Sequence, residues 1–253
     1  GSQKIGMAKE LENFPNTKER FSYASEIFER NLFEICESNS QPINPLNDLN
    51  DTRNTQICLF LVESILLDAL KNNDFKPTYV AGHSLGEYSA LVAASVIAFP
   101  DAVKLVQKRG QFMQTAVPVG EGSMAAILGL EDDQVIGICA DVSSDSEIVQ
   151  AANFNAPGQL VIAGHARAVD QAIAACQDAG ARKAMSLPVS APFHSALMKP
   201  AAENLSVELD AVTFNAPQIR VIQNVDADFH SDPDEIRKNL VGQMDSAVLW
   251  TNT

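Results

Sequence analysis

Ser84 is the residue in this sequence whose surroundings most directly suggest covalent chemistry. It stands at the centre of the run GHSLG, residues 82–86, after a short apolar run and before a helix-like one. Strand, tight turn and helix are the context in which a G-x-S-x-G motif exposes a nucleophilic hydroxyl. The turn would also aim the backbone N–H of Leu85 at a developing oxyanion, beside the positive end of the helix. The pattern predicts a nucleophilic serine, and a glycine-rich structural turn is the alternative.

A serine hydroxyl needs a base to act as a nucleophile at neutral pH, and the sequence holds four histidines. His83 adjoins the serine, where its ring cannot easily face the neighbouring hydroxyl. His165 ends a predicted strand, and His230 lies in a polar loop. His194, in PFHSALMKP, lies where the predicted small domain returns to the large one, and we expect it to be the base. No carboxylate before it is marked out by its surroundings, so backbone carbonyls are an alternative means of orienting the ring.

Composition excludes several other classes of function. The chain has 253 residues, 46 % of them apolar and 20 % charged, which is typical of a soluble globular protein. A net charge of −14 and a single Trp argue against nucleic-acid binding. The four cysteines lack metal-ligand spacing, so we expect no metal site and buried thiols in a reducing, cytoplasmic compartment. No apolar run reaches about 18 residues, so neither a transmembrane helix nor a membrane partner is predicted.

The predicted elements place the serine and the histidine in one discontinuous domain. Residues 122–188 read as strand, helix, strand, strand, helix, strand, which is the order of a ferredoxin-like α+β unit. Residues 1–121 and 189–253 read as an α/β domain that contains a short buried strand before Ser84 and a later strand, IRVIQNVD. We therefore predict a large α/β domain interrupted by a smaller one.

Five segments carry a resemblance to a known family: GHSLGEYSALV, VQKRGQFMQ, NFNAPGQLVIAGH, PVSAPFHSALMKPA and VLWT. Together, and in this order, they resemble the malonyl-CoA:acyl carrier protein transacylases of bacterial fatty-acid synthesis. The resemblance extends through essentially the whole chain. It implies an α/β fold, with a hydrolase-like large domain built on a parallel sheet and an inserted ferredoxin-like small domain.

The resemblance also implies a reaction and its partners. A malonyl group would pass from malonyl-CoA to the phosphopantetheine thiol of acyl carrier protein through a malonyl-serine ester. The CoA thioester is then a substrate, and neither a cofactor nor a metal is expected. We further expect a monomeric cytoplasmic enzyme with no nucleic-acid partner.

Position by position, the resemblance assigns roles to individual residues. Ser84 matches the acylated serine, and His194 matches the general base and acid. Arg109 matches the arginine that pairs with the free carboxylate of malonate, for which a planar guanidinium fork is well suited. Acetyl-CoA lacks that carboxylate and would leave the arginine unpaired. The further substrate contacts implied by the resemblance are His83, Met113 and Phe193, of which Phe193 would crowd the α-methyl group of methylmalonate.

Two departures from the family pattern bear on the site. The chain opens with Gly1-Ser2-Gln3, which matches the end of a Pro-Gly-Gln-Gly-Ser-Gln segment in the family. We expect the family's first strand, its glutamine oxyanion donor and a later core strand to lie outside this sequence. Leu249 stands where the family usually has a glutamine whose backbone carbonyl orients the histidine. A backbone carbonyl survives that change of side chain, so we expect Leu249 to be tolerated.

The negative net charge of the chain would oppose association with an acidic carrier protein, because like charges repel. A local basic patch would have to overcome the repulsion, and Arg182, Lys183 and Lys199 are the candidates. Three alternatives remain open on the sequence. One is a free-standing polyketide-synthase acyltransferase, another is a serine hydrolase or thioesterase, and the third is a non-catalytic acyl-binding or scaffold protein.

Overall fold

The computed structural model describes residues 2–37, 47–189 and 191–253. Its α-helices are α1 (Thr17–Phe28), α2 (Leu32–Glu37), α3 (Thr52–Asn72), α4 (Gly86–Ala93), α5 (Phe99–Thr115), α6 (Asp132–Val142), α7 (Ala166–Asp178), α8 (Lys199–Asp210) and α9 (Pro233–Gly242). Its strands are β1 (Tyr79–Ala81), β2 (Gly122–Leu128), β3 (Val149–Ala156), β4 (Gln159–His165), β5 (Lys183–Ser186) and β6 (Arg220–Ile222). Short 3₁₀ helices occupy Lys9–Leu11, Ala196–Met198 and Trp250–Asn252.

The chain forms two compact units. The first comprises Gly1–Gln111 and Glu208–Val221, and the second comprises Phe112–Val207 and Ile222–Thr253. Residues 122–188 lie in the second unit, together with segments that the sequence assigned to the large domain. The predicted division of 1–121 with 189–253 against 122–188 therefore stays a prediction.

Helix α3 is the centre of the first unit, and α1, α2 and α4 pack against it. The helix begins with an N-cap, because the carboxylate of Asp51 accepts a hydrogen bond from the backbone N–H of Arg53 at 2.9 Å. Its apolar side chains recur at helical spacing, so Ile57, Leu61 and Ile65 are all fully buried. This long buried helix is the support for the residues that surround Ser84.

Strands β1 and β6 form a small parallel pair. The prediction of a buried strand before Ser84 is wrong for the described residues: Tyr79 is 48 % exposed, and Val80 is only partly buried. Each strand is three residues long, and β1 has β6 as its one strand neighbour in the described part of the chain. A pair of this size covers little of its own surface.

The second unit contains a four-stranded antiparallel sheet with the order β3-β4-β2-β5. Strands β2 and β4 pair in continuous register from Gly122 opposite His165 to Leu128 opposite Gln159. Helices α6 and α7 follow β2 and β4 in the chain, as the sequence predicts. They bury one face of the sheet, where Ile127 packs with the helix residues in a single apolar cluster.

The other face of the sheet supports the segment that carries His194. Met124, Ala152, Val161 and Ala163 form a buried cluster there, and Leu187, Val189 and Phe193 pack against it. At the start of β2, a Cβ on Gly122 would lie 2.3 Å from Cδ of Pro192, so only glycine admits this close approach. No helix in the described ranges combines the length and the apolar character needed to cross a membrane.

Candidate active site

Ser84 lies on a sharp turn between β1, which ends at Ala81, and α4, which begins at Gly86. Its backbone φ is +53°, in the left-handed region that non-glycine residues rarely adopt. A Cβ on Gly82 would lie 1.9 Å from the carbonyl carbon and oxygen of Gly86, so a side chain at Gly82 cannot be accommodated. The turn is closed by a hydrogen bond from the backbone N–H of Gly86 to the carbonyl of His83 at 3.0 Å. The strained turn presents a serine at a helix N-terminus, as the sequence predicts.

Arg109 on α5 donates a hydrogen bond to this serine. Its Nη2 donates to the hydroxyl oxygen of Ser84 at 3.0 Å, and its Nη1 donates to Oε1 of Gln56 at 2.5 Å. The side chain is almost fully buried, with 1 % of its surface exposed. Sequence reasoning had placed Arg109 in the site only through the family resemblance, and it missed Gln56. A polar residue next to the apolar run that begins at Ile57, on the buried face of α3, was the signal that could have identified Gln56.

Arg109 keeps its positive charge although its side chain is buried away from solvent. Burial lowers the pKa of the Arg109 guanidinium, while the neighbouring Tyr88 and the buried Glu87 act in the opposite direction. The Tyr88 ring centroid lies 5.6 Å from the guanidinium carbon, and burial raises the pKa of the Tyr88 phenol, so the ring stays neutral. Because guanidinium groups do not lose their proton in proteins, Arg109 remains a cation that can bind an anion.

His194 in the second unit is buried, with 3 % of its surface exposed, and its backbone φ is +59°. Its Nδ1 lies 2.7 Å from the backbone carbonyl oxygen of Gln243. Since a carbonyl only accepts hydrogen bonds, Nδ1 carries the proton and donates, which leaves Nε2 with its lone pair in the neutral ring. This is the tautomer that a general base requires. Of the two means of orienting the ring that the sequence left open, the structure shows a backbone carbonyl at Nδ1.

The carbonyl that orients His194 is not the one expected. The sequence assigned this role to Leu249, and that assignment is wrong. Gln243 immediately follows α9, where the last carbonyls of a helix have no partner within it and are available to other donors. Leu249 instead donates its backbone N–H to the carbonyl of Asn224 at 2.9 Å.

Local hydrogen bonds hold the segment around His194. The hydroxyl of Ser195 donates to the carbonyl of Pro192 at 2.7 Å, and the N–H of Ala196 donates to Oε1 of Gln150 on β3 at 3.0 Å. Phe193 is partly buried against the sheet. These contacts explain how a buried histidine keeps a left-handed backbone conformation.

The predicted site residues fall into two groups. The first unit contains Ser84, Leu85, Arg109 and His83, and the second contains His194, Phe193 and Met113. Leu85 is buried at the N-terminus of α4, His83 is exposed beside Ser84, and Met113 is buried in the last turn of α5.

The remaining histidines have structural surroundings, in agreement with the sequence analysis. Nδ1 of His165 accepts the N–H of Ile148 at 3.0 Å. His230 pairs with Asp226 at 2.7 Å and with Glu235 at 3.1 Å. Among the residues that the structure describes, no group of His, Cys, Asp and Glu could hold a metal ion.

Comparison with known proteins agrees with this arrangement. The profile of the acyl transferase domain family matches residues 1–252. The malonyl CoA-acyl carrier protein transacylase of Escherichia coli O157:H7 is 47 % identical over 256 residues, which cover all of this chain and 81 % of that protein.

Solved structures give the same result. The crystal structure of an acyl carrier protein S-malonyltransferase from Vibrio cholerae has a TM-score of 0.91 and 46 % identity, covering all of this chain and 81 % of that one. A malonyl-transacylase in complex with the acyl-carrier protein of a type II polyketide synthase has a TM-score of 0.92 and 42 % identity, covering 99 % of this chain and 80 % of that one. On this evidence, the chain belongs to the acyl transferase domain family and, within it, to the malonyl-CoA:acyl carrier protein transacylases.

Proposed function

We propose that this chain transfers a malonyl group from malonyl-CoA to the phosphopantetheine thiol of acyl carrier protein, with Ser84 as the acylated residue. The observation that carries the proposal is the hydrogen bond between Arg109 and Ser84. It places a buried cation 3.0 Å from a serine hydroxyl that lies at a helix N-terminus. A site of this kind favours an acyl group that bears a carboxylate, and malonyl is such a group.

In the first step, Nε2 of His194 takes the proton of the Ser84 hydroxyl. The serine oxygen attacks the thioester carbonyl carbon of malonyl-CoA, and the backbone N–H of Leu85 stabilises the oxyanion that forms. The carbon–sulfur bond then breaks, and the CoA sulfur leaves as a thiol with the proton from His194. The product is a malonyl ester on Ser84.

In the second step, the phosphopantetheine thiol gives its proton to His194 and attacks the ester carbonyl. The ester carbon–oxygen bond breaks, the proton returns to Ser84, and malonyl-carrier protein is released. Arg109 pairs with the malonyl carboxylate through both steps and so holds the ester in one geometry. A buried arginine also favours this substrate over acetyl-CoA, which would leave the cation unpaired.

The remaining predicted residues complete the substrate pocket in this proposal. Phe193 packs on the sheet next to the base and would limit the space beside the α-carbon of the acyl group. Met113 would contribute apolar wall, since it is buried near the end of α5. His83 is exposed directly before the nucleophile, where it would meet the thioester as it enters.

For the carrier protein, we propose docking on a basic patch made of Arg182, Lys183 and Lys199. All three side chains are exposed. Lys183 is the first residue of β5, an edge strand of the sheet, and Arg182 directly precedes it, while Lys199 is the first residue of α8. Exposed positive charge at these positions would attract an acidic partner to a chain whose net charge is −14.

The finer architecture belongs to the same proposal. The strand order β3-β4-β2-β5 supports a ferredoxin-like small domain at residues 122–188, inserted in a hydrolase-like domain made of 1–121 and 189–253. All four cysteines are buried thiols, which agrees with a cytoplasmic location. We propose that a monomer suffices for activity, since nucleophile and base come from one chain.

The experiment is intact-protein mass spectrometry after brief mixing with malonyl-CoA or acetyl-CoA. We expect a malonyl adduct that forms faster than the acetyl adduct and is absent from Ser84→Ala. Added acyl carrier protein should discharge the adduct to malonyl-carrier protein faster than water hydrolyses it. Dominant hydrolysis would favour the serine hydrolase alternative, and a folded protein that forms no adduct would contradict the proposal. Carrier proteins of fatty-acid and polyketide synthesis, compared side by side, separate the two transferase alternatives.

A further inference from the structure

We propose that Asn239 on α9 is a positioning residue for the base: it ties α9 to the loop before that helix and so holds the Gln243 carbonyl that orients His194. This inference rests on the proposed role of His194 and deepens it. The loop comprises residues 223–232, between β6 and α9. The sequence analysis gave no role to Asn239 or to this loop beyond the polar setting of one histidine.

The side chain of Asn239 bonds to the loop at two points. Its Nδ2 donates to Oδ2 of Asp226 at 2.9 Å and to Oε1 of Gln223 at 3.3 Å. The NH₂ group carries two hydrogens, so both bonds can exist together. Gln223 is fully buried, and its own Nε2 donates back to the carbonyl of Ile236 on α9 at 3.1 Å. Loop and helix are therefore joined by side-chain amides in both directions.

The same loop and the same helix both contact Gln243, which is fully buried. Its backbone N–H donates to the carbonyl of Asn239 at 2.9 Å, and its side-chain Nε2 donates to Oδ1 of Asn224, in the loop, at 3.4 Å. Its carbonyl oxygen lies 2.7 Å from Nδ1 of His194. All of these residues belong to the second compact unit. The position of this carbonyl thus depends on how α9 and the loop are held together.

Asn239 lies between this buried group and charged residues nearer the surface. Oδ2 of Asp226, which accepts from Asn239, also lies 2.7 Å from Nε2 of His230. The other ring nitrogen of His230 lies 3.1 Å from Glu235 on α9. Asn239 itself is only partly buried. Its amide therefore connects the charged cluster outside to the buried amides of Gln223 and Gln243.

A displaced carbonyl would have a chemical consequence at His194. A carbonyl fixed at Nδ1 keeps the proton on that nitrogen and leaves Nε2 free to accept a proton from Ser84. Without it, the ring can adopt the other tautomer, which has no lone pair at Nε2, and can rotate away from the productive geometry. The base acts on the serine whatever acyl group is transferred. The loss should therefore be the same for malonyl-CoA and for acetyl-CoA, and it should appear in the maximal rate.

The first test is single-turnover acylation of Ser84 at several concentrations of each thioester, followed by intact mass. In Asn239→Ala we expect the maximal rate to fall about tenfold with both donors, because small displacements of a reacting group cost this much or more. The thioester concentration for half-maximal rate should stay within twofold of the parent. Asn73→Ala is the matched control: the same amide is removed, but that of Asn73 donates to Ala69 in its own helix, at 2.8 Å. This control should match the parent.

The second test reads the ring of His194 directly, by ¹⁵N NMR of protein labelled at its histidine rings, with His194→Ala to assign the signals. At alkaline pH we expect the parent to show Nδ1 protonated and Asn239→Ala to show a larger fraction protonated at Nε2. A general loss of stability would not move this signal while the protein remains folded. The NMR measurement needs no substrate, so it tests the positioning role apart from the reaction.

A parent-like rate or a parent-like ring spectrum in Asn239→Ala would overturn the inference, and so would a rate loss confined to malonyl-CoA. If Asn239→Ala does not fold, as judged by its thermal transition, Asn239→Asp decides by the same criteria, since it keeps the size of the side chain and lacks the NH₂ donor. A parent protein that forms no malonyl adduct would instead refute the proposed function, and the ring spectrum would still decide the role of Asn239.

Discussion

Nη2 of Arg109 lies 3.0 Å from the hydroxyl oxygen of Ser84, so the residue that we propose binds the malonyl carboxylate is in contact with the residue that attacks. The acyl groups that fit such a site are short, because carboxylate and reacting carbonyl must lie close together. A malonyl group, with one carbon between its two carbonyl carbons, meets this requirement.

Replacing Arg109 should change donor choice. In Arg109→Ala we expect kcat/KM for malonyl-CoA to fall about 100-fold, since a charge-assisted pair contributes about 3 kcal/mol. The rate with acetyl-CoA should stay within about threefold of the parent's rate, because the acetyl group has no carboxylate that could pair with Arg109. Initial rates with each thioester measure both numbers.

Arg109→Lys is the matched variant for this prediction. It keeps the charge but loses the planar fork, so we expect an intermediate loss with malonyl-CoA. Parallel losses with both donors in Arg109→Ala would contradict a role in carboxylate recognition and would indicate general damage to the site.

The turn that carries Ser84 should tolerate substitution at Gly86, which follows the serine, but not at Gly82, which precedes it. A Cβ on Gly82 would overlap the backbone of Gly86, whereas a Cβ on Gly86 itself meets no atom within 4 Å. We expect Gly82→Ala to lower the free energy of unfolding by about 3 kcal/mol or more. Gly86→Ala should be neutral or stabilise the protein by up to about 1 kcal/mol. Urea unfolding of the two variants tests this difference, and equal stabilities would show that the turn is not close-packed.

Charge reversal at the proposed docking patch should affect the second half-reaction alone. In the double variant Arg182→Glu, Lys183→Glu we expect KM for acyl carrier protein to rise about tenfold or more, with acylation of Ser84 by malonyl-CoA within twofold of the parent. The parent's KM for the carrier should itself rise with ionic strength, because salt screens the attraction. The control is the double variant Lys71→Glu, Lys76→Glu. Both lysines are exposed, and the variant changes the net charge by the same amount outside the proposed docking patch. An equal rise in this control would assign the effect to total charge.

The His230 cluster should make stability depend on pH. Partial burial acts to lower the pKa of His230, but the hydrogen bond to Asp226 and the charges of Asp226 and Glu235 outweigh it, and the pKa is raised. The charged pairs therefore stabilise the fold fully below the ordinary pKa of about 6.5, and this contribution is lost as pH rises through the higher folded-state pKa. The stability difference between the parent and His230→Gln should shrink from pH 6 to pH 8.5.

Glu235→Gln removes one of the two charges that face His230 and is the control for this prediction. Its unfolding free energy should depend less steeply on pH than that of the parent over the same range. A difference between the parent and His230→Gln that does not change with pH would mean that the histidine contributes only through neutral hydrogen bonds.

Much of the architecture follows from local sequence patterns. The order of helices and strands between Gly122 and Ser186 was predictable, because periodicity and turn residues are local properties. The exposure of β1 was not predictable, because it depends on how many strands stand beside it. The bounds of the two compact units also differ from the predicted domains. The boundaries between the units fall inside α5, α8 and β6, whereas the sequence places domain boundaries between elements.

For the site, the sequence by itself predicted the sharp turn at Ser84 and the choice of His194 as the base. Both depend on short-range features: glycines that flank Ser84, and His194 just after the last strand of the predicted small domain. Tertiary structure alone decided which carbonyl orients that histidine and which side chain holds Arg109. Gln243 is 49 residues from His194, and Gln56 is 53 residues from Arg109. Contacts over such separations arise from helix packing and chain topology, which cannot be predicted from a local pattern of residues.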